Sequence, residues 1–378
     1  MKKILFIFLI LLCQIANAEF INIGVLGSHD INQLQFKTRA GKYAIFTEKG
    51  KLKEVDSKST LEIYTTGDLI AVKDNGKLLG TYKKVNLIGI GWYNHFKILA
   101  SGKTSIERRF DDNLKIRNLR SSLKLVNNID LDNYVSGVVE AEVGRKPPKE
   151  YFKLQAIICR TYALSNTQKH LIEGYNLCDE VHCQAYHGKS FFPQIVDAAM
   201  QTKGAVIVDS DIQLITAAFH SNCGGQTVNS EDVWSKSLYY LRSVKDTFCL
   251  NKKNSFWEKE VDQNQWRGYL TARVNLVNEK VISQYQNAER EVFYPMTNNA
   301  VSFEDIRHKF KLRSAFFDVE SQGNKVMLKG RGYGHGVGLC QIGAMEMAGQ
   351  GYSYSEILHY YYSGVHIIDL SALDFFKE

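Results

Sequence analysis

The chain has 378 residues, 44% of them hydrophobic and 12% aromatic, with 47 Lys and Arg against 40 Asp and Glu for a formal net charge of +7. So much apolar material with only 4 prolines excludes a disordered chain, a collagen-like repeat and a disulfide-stapled miniprotein. At roughly 150 residues per domain the length suits about two domains, and a chain of this size needs neither metal nor crosslink merely to fold.

Lys2 and Lys3 precede an apolar run over residues 4–12, and Ala16-Asn17-Ala18 offers small residues where a signal peptidase reads. The pattern predicts a secretory leader over residues 1–18, too short to span a bilayer as a stable helix. Leu12 is too large for lipoprotein processing at Cys13. No later run approaches the ~18 apolar residues of a membrane span, so the mature chain is expected to be exported without one, to the periplasm or the extracellular wall. A mildly positive chain suits a polyanionic wall, and no nucleic-acid partner is expected. Cys159, Cys178, Cys183, Cys223, Cys249 and Cys340 remain after the leader. Export would permit disulfides, but six cysteines in a chain this long are local fixtures and not a framework.

From residue 19 to about 125 the sequence predicts a β-rich region. Short runs rich in Ile, Val, Phe, Tyr and Thr occupy 21–26, 33–38, 43–48, 61–66 and 69–74. Gly41-Lys42, Lys49-Gly50 and Asn75-Gly76 punctuate them, the last being the strongest hairpin signal. The pattern then changes, opening a second region over 126–370. A helix is predicted over 132–140, interrupted by Pro147-Pro148, and a second over 149–170. On a helical wheel Leu154, Ile157, Ile158 and Thr161 share one face, with the small Ala156 and Ala163 opposite, so this helix packs on two sides and is central. A helix over 194–202 and strands over 205–209 and 214–221 follow, whereas 256–320 carries no strong chemical signal. A strand over 325–329 enters a glycine-rich turn and then a helix. Ser353 and Glu356 form a capping-box pattern for a last helix stopping at Gly364. The fold class expected is α+β.

Three groups of residues could carry chemistry. Glu142 sits at an apolar helix end before Gly144 and two prolines. Partial desolvation there would raise its pKa and suit proton transfer, though a solvated helix-end glutamate has the same sequence. His170, Cys178, His182 and Cys183 fall within 14 residues. They could close a tetrahedral structural zinc shell, with His187 as a spare ligand, or Cys178 and Cys183 could form a disulfide; spacing alone leaves both open. Cys223 and Cys249 are a further candidate pair, worth roughly 3 kcal/mol if bonded without strain, while Cys159 and Cys340 suit buried free thiols. The glycines at 330, 332, 334, 336 and 338 lie between a strand and a helix like a phosphate cradle, but no Gly-Lys-Ser/Thr follows and no βαβ unit is evident. They are expected instead to let the backbone pass close to the helix bearing the acid.

Several motifs occur together: Tyr134-Val-Ser-Gly-Val-Val-Glu-Ala-Glu142-Val-Gly144, Leu154-Gln-Ala-Ile-Ile-Cys-Arg160-Thr-Tyr162-Ala163, His220-Ser-Asn-Cys-Gly-Gly-Gln-Thr227, Tyr240-Leu-Arg-Ser-Val-Lys-Asp246, and the run from Gly332 to Ala344. In this order they resemble the SpoIID/LytB family, the stage II sporulation protein D type of cell-wall protein. The resemblance implies a peptidoglycan lytic transglycosylase with Glu142 as acid and then base. Its partners would be glycan strands, and it would need no catalytic cofactor. Members called amidase enhancers imply the alternative of a non-catalytic wall protein that stimulates an amidase. The family often follows this Glu with Met-Pro, whereas Val143-Gly144 follows it here. The resemblance also matches Gln155 and Arg160 to the family's helix, where both could flank a substrate groove; His220 and Ser221, at a strand end before Gly224-Gly225, and His335 and Gln341, by the glycine run, are further groove candidates. A buried structural ion pair is an equal alternative for Arg160, as is a structural role for His335 and Gln341. Finally, it favours zinc over a disulfide at His170, Cys178, His182 and Cys183.

Overall fold

The structure, a computed structural model, describes residues 19–102, 104–252, 254–272, 279–295 and 301–375. The expected leader lies outside the described residues. The chain divides into two compact units, the first ending at Leu131. Among the described residues no helix is long and apolar enough to cross a membrane.

The first unit is built of antiparallel strands: β1 (Phe20–Val25), β2 (Ile31–Thr47), β3 (Gly50–Val55), β4 (Leu61–Thr66), β5 (Leu69–Asp74), β6 (Lys77–Tyr82), β7 (Lys84–Gly102), β8 (Ser105–Asp111), β9 (Asn113–Leu119) and β10 (Ser122–Asp130). Their order is β1-β10-β9-β7-β2-β4-β5-β6, with β3 on β2 and β8 on β7. Alternation drives this part: Ile21, Ile23 and Val25 point inward with Leu34, Phe36, Ile98 and Ile116. Asn75 and Gly76 both have positive φ, 49° and 82°, and join β5 to β6 as a tight hairpin. The expected break at Gly41 does not occur. The runs 33–38 and 43–48 belong to one strand, β2, whose register against β7 shifts on either side of Ala40. Gly41 (φ 72°) absorbs the irregularity, since a Cβ there would lie 2.0 Å from Asn94 Oδ1.

The second unit mixes helices and small sheets, giving the α+β class. It opens with α1 (Leu131–Val143) and α2 (Lys149–Ser165), then β11 (Leu177–Cys178), α3 (Pro193–Gln201), β12 (Ala205–Val208) and β13 (Phe219–His220). The silent stretch after residue 255 has its own four-stranded sheet and core. Its elements are β14 (Phe256–Asp262), α4 (Gln263–Thr271), α5 (Glu279–Ser283), β15 (Gln284–Tyr285), α6 (Phe303–Phe310), β16 (Phe317–Gln322) and β17 (Lys325–Arg331), ordered β14-β17-β16-β15. Trp257, Trp266, Tyr294, Phe303 and Phe317 fill that core. The chain ends with β18 (Leu339–Cys340), α7 (Gln341–Gly349), α8 (Tyr354–Tyr361), β19 (His366–Asp369) and α9 (Leu370–Phe375). Ser353 and Glu356 make the expected capping box on α8.

The helix α2 is central, as its wheel predicts, and is buried on nearly every side from Tyr151 to Ala163. It stops at Ser165, five residues before the expected end, with Asn166 Nδ2 donating to the Tyr162 carbonyl (2.9 Å). Arg160 holds it in place. The guanidinium is buried; Nε and Nη2 both donate to Asp132 Oδ1 (3.0 and 2.7 Å), while Nη1 and Nη2 reach the carbonyls of Ala205 and Ala199 (3.0 and 3.2 Å). One side chain thus ties α2 to the start of α1, the end of α3 and β12. Arg160 was expected to line a substrate groove; its donors are spent inside the protein, so the groove assignment gives way to the buried ion pair. Arg160→Ala removes the hydrogen bonds that Nε and Nη2 donate to the buried Asp132 carboxylate. The expected loss in urea unfolding of the full chain is about 3 kcal/mol; an unchanged midpoint would return Arg160 to the groove.

Candidate active site and metal-binding loop

Two carboxylates leave the last turn of α1 in different directions, because residues two apart on a helix do not share a face. Glu140 is fully engaged: Oε2 accepts from Ser190 Oγ (2.6 Å) and the Phe191 N–H (3.2 Å), and Oε1 pairs with Arg145 Nε (2.7 Å). Burial alone would raise its pKa, but the Ser190 and Arg145 hydrogen bonds outweigh it and hold Glu140 below the usual range. Glu142 has a sparser shell. Its Oε1 accepts from the Ala185 N–H (2.8 Å). Burial pushes its pKa up, and neither the Ala185 bond nor the charge of His187 cancels that effect. A carboxyl group that is half-buried and singly hydrogen-bonded holds its proton more firmly than a free glutamate and can give it up to a reacting group.

Ala185 is supplied by the loop that follows α2. Tyr186 fixes the loop against α1, its ring 5.0 Å from that of Tyr134. Gly137, one turn before Glu142, makes the approach possible. A Cβ there would meet the Gly188 carbonyl at 2.3 Å and the Tyr186 ring at 2.6 Å. Gly137 was legible as a motif residue, but what it admits is a loop whose position periodicity does not reveal.

The same loop gathers His170, Cys178, His182 and Cys183, whose donor atoms all lie within 4.8 Å of one another. Cys178 Sγ and Cys183 Sγ are each 3.9 Å from His182 Nδ1, and the Cys178 N–H points to Cys183 Sγ (3.5 Å). His170 Nδ1 pairs with Glu173 (2.7 Å), which turns Nε2 inward, buried and with no hydrogen-bond partner among the described residues. A carboxylate on one imidazole nitrogen and an orphan on the other is the arrangement of a metal-ligating histidine. Two thiols, two imidazoles and that orphan nitrogen fit zinc. The cysteines are not joined to one another. His187, the spare ligand, lies outside this cluster and beside Glu142.

The other expected groove residues divide. Gln155 is buried in the interior, accepting from the Tyr151 hydroxyl (3.0 Å) and donating to Cys159 Sγ (3.5 Å), so it packs the core and does not line a groove. His220 is buried with Nδ1 on the Val337 carbonyl (3.1 Å), and its ring is 5.5 Å from that of His335. His335 spends both nitrogens on backbone: Nε2 donates to the Phe219 carbonyl (3.0 Å) and Nδ1 accepts from the Val337 N–H (3.0 Å). Burial lowers its pKa to about 4, so it stays neutral. Both histidines therefore brace the β13–β18 pair. Ser221 and Gln341 remain partly exposed. The Ser221 carbonyl accepts from the Ile342 N–H (3.1 Å), which sets the two residues at the start of α7.

The glycines of the run make their tightest approaches elsewhere than at the helix bearing the acid, where they were expected. Gly332 (φ 82°) and Gly338 (φ 69°) pass against the chain around β13, where a Cβ would meet the Asn222 carbonyl at 2.6 Å and the Ala218 carbonyl at 2.3 Å. Cys223 and Cys249 do meet, but as unbonded thiols 3.3 Å apart, joined by Cys340 and Asp246.

Because its folded pKa is raised, protonation of Glu142 favours the native state. That contribution is full below the unfolded pKa and is lost as pH rises through the folded one. Glu142→Gln is therefore expected to melt at or above wild type at pH 7, with the difference shrinking as the pH falls through the carboxylate range. A variant that melts well below wild type at pH 7 would mark Glu142 as a structural anion.

Residues 119–208, which contain Glu142, the central helix and the Cys/His loop, match the family described as SpoIID, stage II sporulation protein. An uncharacterized protein of Brachyspira hyodysenteriae is 28% identical over 86% of this chain and 90% of its own length. The stage II sporulation protein D of Bacillus amyloliquefaciens is 30% identical over 68% of this chain and 78% of its own length. The amidase enhancer of Bacillus subtilis is 27% identical, and its alignment covers 61% of this chain and 39% of the relative. With the sequence motifs, these matches establish that the chain belongs to the SpoIID family.

Proposed function

We propose that this protein is an exported lytic transglycosylase that cuts peptidoglycan glycan strands and leaves 1,6-anhydro-muramyl ends. The observation that carries the reading is the contrast on one helix turn. Glu140 is held as an anion by Ser190 and Arg145, while burial favours the protonated form of Glu142. Ordinary glycosidases need two working carboxylates; this reaction needs one. The Glu142 carboxylic acid gives its proton to the glycosidic oxygen, the C1–O bond breaks and its electron pair leaves with that oxygen. The resulting carboxylate takes the proton of the muramyl C6 hydroxyl as O6 bonds to C1. The Ala185 N–H strengthens its hydrogen bond as the carboxylate forms, a gain made only after proton transfer begins. Zinc held by His170, Cys178, His182 and Cys183 would supply rigidity to the loop that presents Ala185 and would take no part in the proton transfers.

The relative named an amidase enhancer favours a second reading, in which the chain binds wall polymer and stimulates an amidase. Mass spectrometry of products from purified sacculi and from glycan freed of stem peptides separates the two. The transglycosylase reading predicts anhydro ends with wild type, and at least a ~100-fold loss with Glu142→Gln, the scale of removing a general acid. Reducing ends would indicate hydrolysis. Anhydro ends at an unchanged rate with Glu142→Gln would remove the residue from the chemistry. No cleavage by wild type, with faster release by an added amidase, would establish the enhancer.

A further inference from the structure

Away from Glu142 the core of the second unit contains a group of reactive side chains that the reaction above does not use. Cys223 follows β13, Asp246 and Cys249 lie on one loop, and Cys340 closes β18. All four are fully buried, and their donor atoms lie within 4.8 Å of one another. Cys223 Sγ is 3.3 Å from Cys249 Sγ and 3.2 Å from Asp246 Oδ2. A zinc ion with bonds of about 2.3 Å to four tetrahedral ligands sets its donors about 3.8 Å apart, within this spread.

We propose that Cys223, Asp246, Cys249 and Cys340 form a second metal centre, a buried site for a thiophilic divalent cation such as zinc. Its surroundings are those of a thiolate site. The Cys223 and Gly343 N–H groups donate to Cys340 Sγ (3.3 and 3.4 Å), and Cys340 is the N-cap of α7, where the helix end favours negative charge. Asp246 is already aimed: Oδ1 accepts from the Phe248 N–H (3.0 Å) and Oδ2 from the Tyr361 hydroxyl (2.9 Å). Gly343 is needed here, since a Cβ would lie 2.3 Å from both Asp246 Oδ2 and the Tyr361 oxygen. Excess negative charge meets Arg290, a buried guanidinium within electrostatic reach of Cys223 and Cys340 whose Nε and Nη2 have no hydrogen-bond partner among the described residues.

A disulfide is the competing state. It would join only two of the three sulfurs at about 2.05 Å, leaving a third thiol and an aimed carboxylate without a purpose. The metal uses all four groups. Ligands 117 residues apart in sequence would then be tied together, fixing β13 to β18 at the start of α7. This inference does not depend on the role of Glu142.

The test is metal and thiol analysis of the full chain. Wild type, Cys178→Ser and Cys340→Ser are each supplied with zinc and freed of loosely held ion on a chelating resin. Two zinc per wild-type chain are expected, with one lost in each variant. Should Cys340→Ser fail to fold, cobalt(II) loading of wild type reads the same quantity. The sulfur-to-cobalt absorption should correspond to five thiolates, two from the Cys/His loop and three from the buried centre, and Cys178→Ser should retain at least the buried three. Wild type holding at most one zinc, which Cys178→Ser loses, would overturn the proposal. So would an intact mass two hydrogens lighter with a peptide linking Cys223 to Cys249 or Cys340.

Discussion

The geometry of the candidate site depends on one contact: the Ala185 N–H against the Glu142 carboxylate, made by a loop that closes on the last turns of α1. Without the loop, Glu142 would be an ordinary helix-end carboxylate in water. With the loop in place it is desolvated yet not saturated, since one backbone donor is too little to offset burial. The approach is sterically demanding, so Gly137 opposite Tyr186 is as necessary to it as the acid is to the chemistry. A zinc ion held by the Cys/His cluster in the same loop would give it an anchor that a short hydrophobic contact alone would not provide.

Behind the site, the second unit is organised by buried polar connections as much as by apolar packing. Arg160 uses Nε, Nη1 and Nη2 to tie α2 to α1, α3 and β12. Thr161 Oγ1 accepts from the Ile207 N–H (2.9 Å) and so links α2 to β12 a second time. The hydroxyls of Tyr361 and Tyr362 reach Asp246 and the Ala218 carbonyl from α8 and the residue after it. Such groups are costly to bury unpaired, so each partner specifies one register of packing. The acid on α1 is consequently mounted on a helix that cannot shift without breaking the Asp132–Arg160 pair.

Periodicity made the strands β4 and β5, the hairpin at Asn75-Gly76 and the central position of α2 legible, because each is fixed by residues close in sequence. The continuity of β2 through Gly41 was not: its pairing with β7 holds the two halves in one strand, and glycine reads locally as a turn. The region after residue 255 stayed silent because its core is assembled from aromatic residues spread over several short elements. At the site, the type of Glu142 and its helical setting could be read directly, and so could the donor set at His170, Cys178, His182 and Cys183. What could not be read was partnership. Arg160 and Gln155 carry motif positions that fall off the apolar face on a wheel drawn for one helix, yet α2 is surrounded. The convergence of Cys340 and Asp246 on Cys223 and Cys249 links segments that no spacing rule connects.

The account stands most directly on the protonation of one side chain. A carbon-13 carboxyl titration of the folded full chain, with Glu142 assigned through its glutamine variant, reads it without reference to any substrate. The result in accord has the Glu142 midpoint above that of a free glutamate and the Glu140 midpoint below it. Equal midpoints, or the reverse order, would contradict the division of labour on which the proposed proton transfers rest.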